Sequence, residues 1–232
     1  MFDVLKKDRS FKVVGVDRGD NINKALKNCE IFIIAIKPQD FDELGKLVNV
    51  DLTNKLAISI MAGVSIERIM KTLGVKKVVR VMPNLALGIR KSLSGWIASD
   101  GATKVDKKIA KAILKKFGEE VEVDRESKIN AITALSGSGP AYFFKLAEIL
   151  ENAAKKYGFT ENEAVKIAGA TLVGAAELVG KSKESTSVLR EKVTSKGGTT
   201  EAALNYMSSN NVDKIILEAI EAARRRAEEL NS

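Results

Sequence analysis

The 232-residue chain contains no histidine. That absence excludes Ser-His and Cys-His nucleophilic sites, because no imidazole base is available to take the proton. It also excludes His-containing zinc sites, and a single cysteine, Cys29, cannot supply the missing ligands, so no metal is expected. One cysteine rules out an internal disulfide framework and suits a reducing compartment. Aromatic residues are only 5% of the chain against 45% hydrophobic in all, so the core must be aliphatic. The longest apolar run, Ile31 to Ile36, falls far short of a membrane span, and no membrane partner is expected. No basic segment followed by an apolar one marks a secretory signal, and the expected location is cytoplasmic. The available chemistry is that of Lys, Asp, Glu, Tyr, Ser, Thr, backbone N–H groups or a bound cofactor.

The net charge of +8 raises nucleic-acid binding. The lysines, however, follow predicted helix faces, as at Lys104, Lys107, Lys108, Lys111, Lys115 and Lys116, with no aromatics interleaved. That is the pattern of a solvated face, and no nucleic-acid partner is expected. Attraction of an anionic metabolite or cofactor fits a basic protein equally well.

Residues 2 to 8 read as the end of a helix and Lys12 to Val16 as a short strand. Asn21 to Asn28 is helical. Ile31 to Ile36 has the continuous β-branched pattern of a parallel strand buried on both faces, and Pro38 ends it. A helix over 39–48, a strand over 56–61, a helix from the N-cap Ser65 to Leu73 and a strand over 78–82 follow. A fourth strand is expected over 94–98, an amphipathic helix over 104–117 and a last strand over 120–123. This alternation predicts an α/β fold with a mostly parallel sheet and helices on both faces.

After residue 125 no strand signal remains, which divides the chain into an α/β domain over 1–125 and an all-helical domain over 126–232. Helices are expected over 126–157, from the capping box Thr160/Glu163 to Val179, and over 185–193, 199–207 and 212–230. The apolar surface exceeds what a thin bundle can cover, so much of it should be buried against a second copy of the chain. In the first of these helices Ile129, Ile132 and Leu135 lead into a helix-hostile centre, Ser136-Gly137-Ser138-Gly139-Pro140. That centre should interrupt the helix or tighten it. On its own it fits a kink or a tight helix crossing as well as a ligand approach.

Two further features point to ligands. Three buried strands end in Ala35-Ile36-Lys37-Pro38, Met61-Ala62-Gly63 and Met82-Pro83-Asn84, and ligands of doubly wound sheets bind at carboxyl ends of strands. Tight βα turns would use Pro and Gly anyway, but three in register line one edge. Between two predicted helices, Thr194 to Thr200 holds two glycines and four hydroxyls in seven residues, more than helix capping requires. Such a loop before a helix start suits a carboxylate or phosphate.

These segments resemble the pyrroline-5-carboxylate reductase family over nearly the whole chain. The resemblance is carried by Ala35 to Gln39, Val79 to Asn84, Thr133 to Tyr142 and Leu189 to Leu204. It implies a Rossmann-type sheet followed by a helical domain that dimerises by interlocking helices, with dimers often assembling into decamers. It implies reduction of 1-pyrroline-5-carboxylate to L-proline with NADPH or NADH. By the same resemblance Ser195, Gly197, Gly198, Thr199 and Thr200 hold the substrate carboxylate and ring. The Thr200 hydroxyl faces the imine nitrogen as the catalytic contact. Ala35, Ile36, Lys37, Pro38, Met82, Pro83 and Asn84 line the nicotinamide ribose and pyrophosphate. Val193 reaches the cofactor across the dimer, and either Asn21 or Asn23 approaches the adenosine ribose. Lys196 stands where the family has a proline, and Leu85-Ala86 where it has Thr-Pro. Hydride attack on a protonated imine needs positioning, a carboxylate clamp and a hydrogen bond at nitrogen, so the missing histidine is no obstacle.

One family feature is not found: no Gly-x-Gly-x-x-Gly loop precedes Lys12. A native start upstream of Met1, a truncated product inactive toward NAD(P)H, and direct pairing of the 12–16 and 31–36 strands each accommodate this. The 232-residue chain is expected to bind NADPH more weakly than a longer chain carrying that loop, which calorimetry on both would read. The competing functions are a β-hydroxyacid-dehydrogenase-like enzyme, whose catalytic lysine has no counterpart in the Ser136–Pro140 centre, and a non-catalytic dimerising helical module.

Overall fold

The computed structural model describes residues 1–230. They form two compact units, Met1–Pro140 together with the chain from Glu221 onward, and Ala141–Ile220.

The first unit is built on a five-stranded sheet in the order β1 (Ile31–Ile34), β2 (Leu56–Ser59), β3 (Lys77–Met82), β4 (Ser92–Ala98) and β5 (Gly118–Glu122). All neighbours pair in parallel except β3 and β4, which are antiparallel with Val81 opposite Trp96 and Met82 opposite Gly95. Helices α1 (Phe2–Lys6), α2 (Ile22–Lys27), α3 (Phe41–Leu47), α4 (Ile66–Leu73) and α5 (Lys104–Leu114) surround it. Alternation along the strands sorts the core into two faces. Ile34, Ala57 and Val78 pack with Leu26, Phe41, Ile69 and Leu73 of α2, α3 and α4. Leu56, Ile58, Val79, Val81 and Trp96 pack with Leu5 of α1 and with Ala110, Ile113 and Leu114 of α5. Helices thus lie on both faces, as the alternation requires.

Two expectations are corrected. Residues 12–16 form no strand: they have no ladder partner among the described residues, and Phe11 and Val13 only pack beside the second core cluster. Direct pairing of this stretch with β1 therefore does not occur. β1 is also not buried on both faces. It lies at the sheet edge, where Ile34 is buried but Ile31, Phe32 and Ile33 are half-exposed.

The helices start where their caps dictate. Ser65 accepts the Arg68 N–H at 3.2 Å, and Arg68 itself reaches Asp42 of α3. Thr103 and Asp106 form a reciprocal capping box at α5, and Thr160 and Glu163 another at α8 (Glu161–Lys181). Trp96 is sealed in the core with its indole N–H donated to Glu120 at 2.8 Å.

The second unit is all-helical, from the body of α7 (Gly139–Lys156) through α8, α9 (Thr186–Lys192) and α10 (Thr199–Ser209) into α11 (Val212–Glu229). Its buried apolar residues are Ala154, Ala164 and Ala168, while Phe143, Phe144, Val173, Leu178, Ile215, Ile216 and Leu217 stand exposed. No described helix is long and apolar enough to cross a membrane.

Asp106 supplies a test of the sheet–helix junction. Burial alone would raise its carboxyl pKa, but hydrogen bonds from Thr103 and from Lys77 of β3 outweigh burial and hold it below the ordinary 3.8. A depressed folded pKa contributes stability above the ordinary value, and that contribution is lost as pH falls through the folded one. Asp106→Asn should therefore unfold at a lower temperature than the parent near neutral pH, with the gap closing below pH 3.8. A gap that stays constant across an acid titration of melting temperature would contradict this.

Candidate functional site

The register places the carboxyl ends of β1, β2 and β3 side by side. Ile34 pairs Ser59, Ser59 pairs Arg80, and the Ile60 N–H extends the ladder to the Ile34 carbonyl at 3.1 Å. The turns 35–38, 61–63 and 82–84 therefore leave one edge of the sheet. Ala35, Ile36 and Lys37 are exposed there, and Pro38 begins a single 3-10 turn that leads into α3.

Asn84 is held on every polar atom of its side chain. Its Oδ1 accepts the Ala86 N–H at 3.1 Å, capping the 3-10 turn Leu85–Ile89, and its Nδ2 donates to Ser136 Oγ at 3.1 Å. Its backbone N–H donates to Ser92 Oγ at 3.0 Å. Asn21 and Asn23, both before β1, also differ. Asn23 is engaged at both ends, donating to the Leu47 carbonyl and accepting the Asn49 N–H, each at 2.9 Å. Asn21 is exposed and uses only Oδ1, as the N-cap of α2.

The helix after β5 is interrupted at its centre, by widening rather than tightening. α6 (Ser127–Ile132) passes into a π-helical turn over Thr133–Gly137, where the Ser138 N–H bonds the Thr133 carbonyl five residues back at 2.8 Å. Leu135 is 58% exposed, while Ile129, Ala134 and Ser136 are buried; at 3.6 residues per turn Ser136, seven residues on, returns to the face of Ile129, and Leu135 does not. Leaving a leucine outside forgoes about 1.5–3 kcal/mol of burial. Next to Ser136, a Cβ on Gly137 would lie 2.8 Å from Met82 Cε, so the bare glycine lets Met82 rest against the turn.

Sequence reasoning assigned no role to the charge pair beneath this region. Arg80, 3% exposed within β3, donates to Glu126 at 2.6 Å, and the same carboxylate oxygen accepts the Ile66 N–H at the start of α4 at 2.9 Å. The available signal was a single arginine inside the apolar run Val78 to Met82.

The second unit carries Val193 to Thr200. Val193 ends α9 and is exposed. Gly197 has φ +73°, a left-handed conformation that favours glycine, and the Gly198 N–H closes the loop on the Ser195 carbonyl at 2.9 Å. Gly198 is the N-cap of α10 and offers no side-chain cap. Glu201, the third residue of α10, reaches back to accept the Gly197 N–H at 2.7 Å. Ser195 and Thr199 are exposed, and Thr200 is half-buried. The result is a glycine loop braced by a carboxylate, with hydroxyls clustered at an uncapped helix start.

Comparison with known proteins agrees with both units. Residues 126–230 match a family model described as pyrroline-5-carboxylate reductase dimerisation. Pyrroline-5-carboxylate reductase 2 of Bacillus subtilis strain 168 is 36% identical over 209 residues, 90% of this chain and 75% of the relative. A solved pyrroline-5-carboxylate reductase from Coxiella burnetii matches with a TM-score of 0.82 at 35% identity, covering 92% of this chain and 80% of that one. The Plasmodium falciparum pyrroline carboxylate reductase, solved with NADP bound, matches at a TM-score of 0.78 and 28% identity, covering 86% and 81%. A mostly parallel sheet followed by such a helical unit defines a Rossmann-type oxidoreductase. The chain belongs to the pyrroline-5-carboxylate reductase family.

Removing the Glu126 carboxylate leaves Arg80 charged and enclosed. Glu126→Ala should cost about 3 kcal/mol, and Glu126→Gln less, because the amide still accepts the Ile66 N–H. Urea unfolding of the three proteins checks the order, and equal stability of all three would show that the pair does not brace the fold.

Proposed function

We propose that this chain reduces 1-pyrroline-5-carboxylate to L-proline with NADPH or NADH, the last step of proline biosynthesis. The observation that carries the reading is the braced Thr194–Thr200 loop in a chain of this family. The substrate presents a carboxylate beside a ring imine. Backbone N–H groups at the start of α10, with the positive end of its dipole, favour that carboxylate. Ser195, Gly197, Gly198 and Thr199 surround it, and Thr200 serves as the catalytic contact whose hydroxyl hydrogen-bonds the imine nitrogen.

The strand-end edge fits a dinucleotide. Lys37 places a cation beside exposed Ala35 and Ile36, and the Met82-Pro83-Asn84 turn is fixed by internal hydrogen bonds. Ala35, Ile36, Lys37, Pro38, Met82, Pro83 and Asn84 hold the nicotinamide ribose and pyrophosphate, with Val193 of a second copy of the chain as a further contact. Asn21, whose amide nitrogen is not engaged, is the better of the two asparagines for the adenosine ribose. When bound, NAD(P)H supplies the hydride. The chain's part is orientation and charge placement.

Residues 1–125 form the dinucleotide-binding domain in this reading, and residues 126–232 bind substrate and dimerise. The exposed apolar side chains of the helical unit support a homodimer, which can assemble further into a decamer, as solution mass would report. The protein works in the cytoplasm and binds neither nucleic acid nor membrane. A dimerising module without catalysis is not favoured, because the relatives match the sheet as well as the helices.

The test is NADPH oxidation on addition of pyrroline-5-carboxylate. Thr200→Val should lower kcat by about tenfold or more at unchanged melting temperature, and Ser195→Ala should raise the substrate KM by about tenfold. A chain inert toward pyrroline-5-carboxylate defeats the reading, and parental kcat in Thr200→Val removes that residue from catalysis.

A further inference from the structure

Ser136 and Gly137 are adjacent in the π turn, and they meet the two ends of one strand-end turn. Ser136 Oγ accepts from Asn84 Nδ2 at 3.1 Å and donates to the Leu93 carbonyl of β4 at 3.3 Å. Gly137 lies against Met82, with no room for a Cβ unless Met82 Cε moves. The amide of Asn84 is thereby oriented, Oδ1 toward the Ala86 N–H and Nδ2 toward Ser136. Seven residues on from buried Ile129, Ser136 returns to the inward face, so its hydroxyl lies in the interior while Leu135 stands exposed. Local irregularities of this kind collect at functional sites, where hydrogen-bonding precision outweighs regular packing.

We propose that Ser136 is a positioning residue for the reduction: through Asn84 it fixes the Met82-Pro83-Asn84 turn in the orientation that receives the nicotinamide. This rests on the reading of that turn as part of the dinucleotide site. In this role Ser136 acts through Asn84, with the Leu93 carbonyl holding its hydroxyl in place. Loss of the hydroxyl frees the Asn84 amide to rotate and the turn to drift, which weakens nicotinamide placement.

The experiment compares the full chain with Ser136→Ala, Asn84→Ala and the double variant. Three quantities are read: NADPH affinity by calorimetry, nicotinamide fluorescence of the bound nucleotide, and steady-state kinetics. Ser136→Ala should weaken NADPH binding about fivefold and lower kcat about tenfold, with the pyrroline-5-carboxylate KM within twofold of the parent. Asn84→Ala should lose a similar factor, and the double variant no more than either single one, because both act on one contact. Parental NADPH affinity and fluorescence in Ser136→Ala overturn the inference, as do losses that add in the double variant. If the parent binds NADPH but does not reduce pyrroline-5-carboxylate, the assigned reaction falls; a Ser136→Ala loss in NADPH affinity still supports the positioning role. Should Ser136→Ala fail to fold, Gly137→Ala carries the test. Its added methyl displaces Met82 and should also weaken NADPH binding, and parental affinity in that variant overturns the inference.

Discussion

A guanidinium enclosed in the centre of a sheet must be neutralised where it lies, and that requirement organises the first unit. Arg80 sits in β3 and Glu126 opens α6, so their ion pair fastens the helix to the strand. The same carboxylate takes the first N–H of α4, adding a third element to the junction. Buried pairs of this kind contribute little net stability over apolar packing, because desolvation offsets attraction. Their effect is on register: a charge tolerates far fewer placements than a leucine does. From this anchor α6 runs to the π turn, where Ser136 meets Asn84 at the far end of the same strand. Strand and helix are thus joined at both ends of the segment.

Most of the sheet could be read from the chain, because buried strands announce themselves by continuous β-branched runs and end at Pro or Gly. The caps at Ser65 and Thr160 were equally readable, since a hydroxyl before a helix start has a short-range reason to be there. Partners distant in sequence were harder. Lys12 to Val16 has strand composition, but composition cannot guarantee a ladder neighbour, and the stretch pairs with nothing described. The half-exposure of β1 has the same origin, since edge or centre is decided by topology.

The candidate site divides along the same line. The Thr194–Thr200 loop was visible as an excess of glycine and hydroxyl, and its family resemblance gave each residue a role. Its brace was not visible: Glu201 reads as an ordinary first-turn acid until its carboxylate is seen on the Gly197 N–H. The glycine–serine centre was recognised as irregular, and the α-helix is interrupted there, by a π turn rather than a tighter one. Proline and glycine disfavour a regular helix but do not decide whether a turn loosens or tightens. What the turn meets lies on the neighbouring strand end, an asparagine amide and a methionine, and neither can be read from the turn's own sequence.

The helical unit buries three alanine side chains and leaves its leucines, isoleucines and phenylalanines largely in contact with solvent. Three methyl groups cannot offset the conformational entropy of ordering residues 141–220, which is on the order of 1 kcal/mol per residue or more. A family dimerisation domain obtains the remainder by association. Its folded population is then set by chain concentration as well as by temperature. For such a unit, dilution acts as a denaturant.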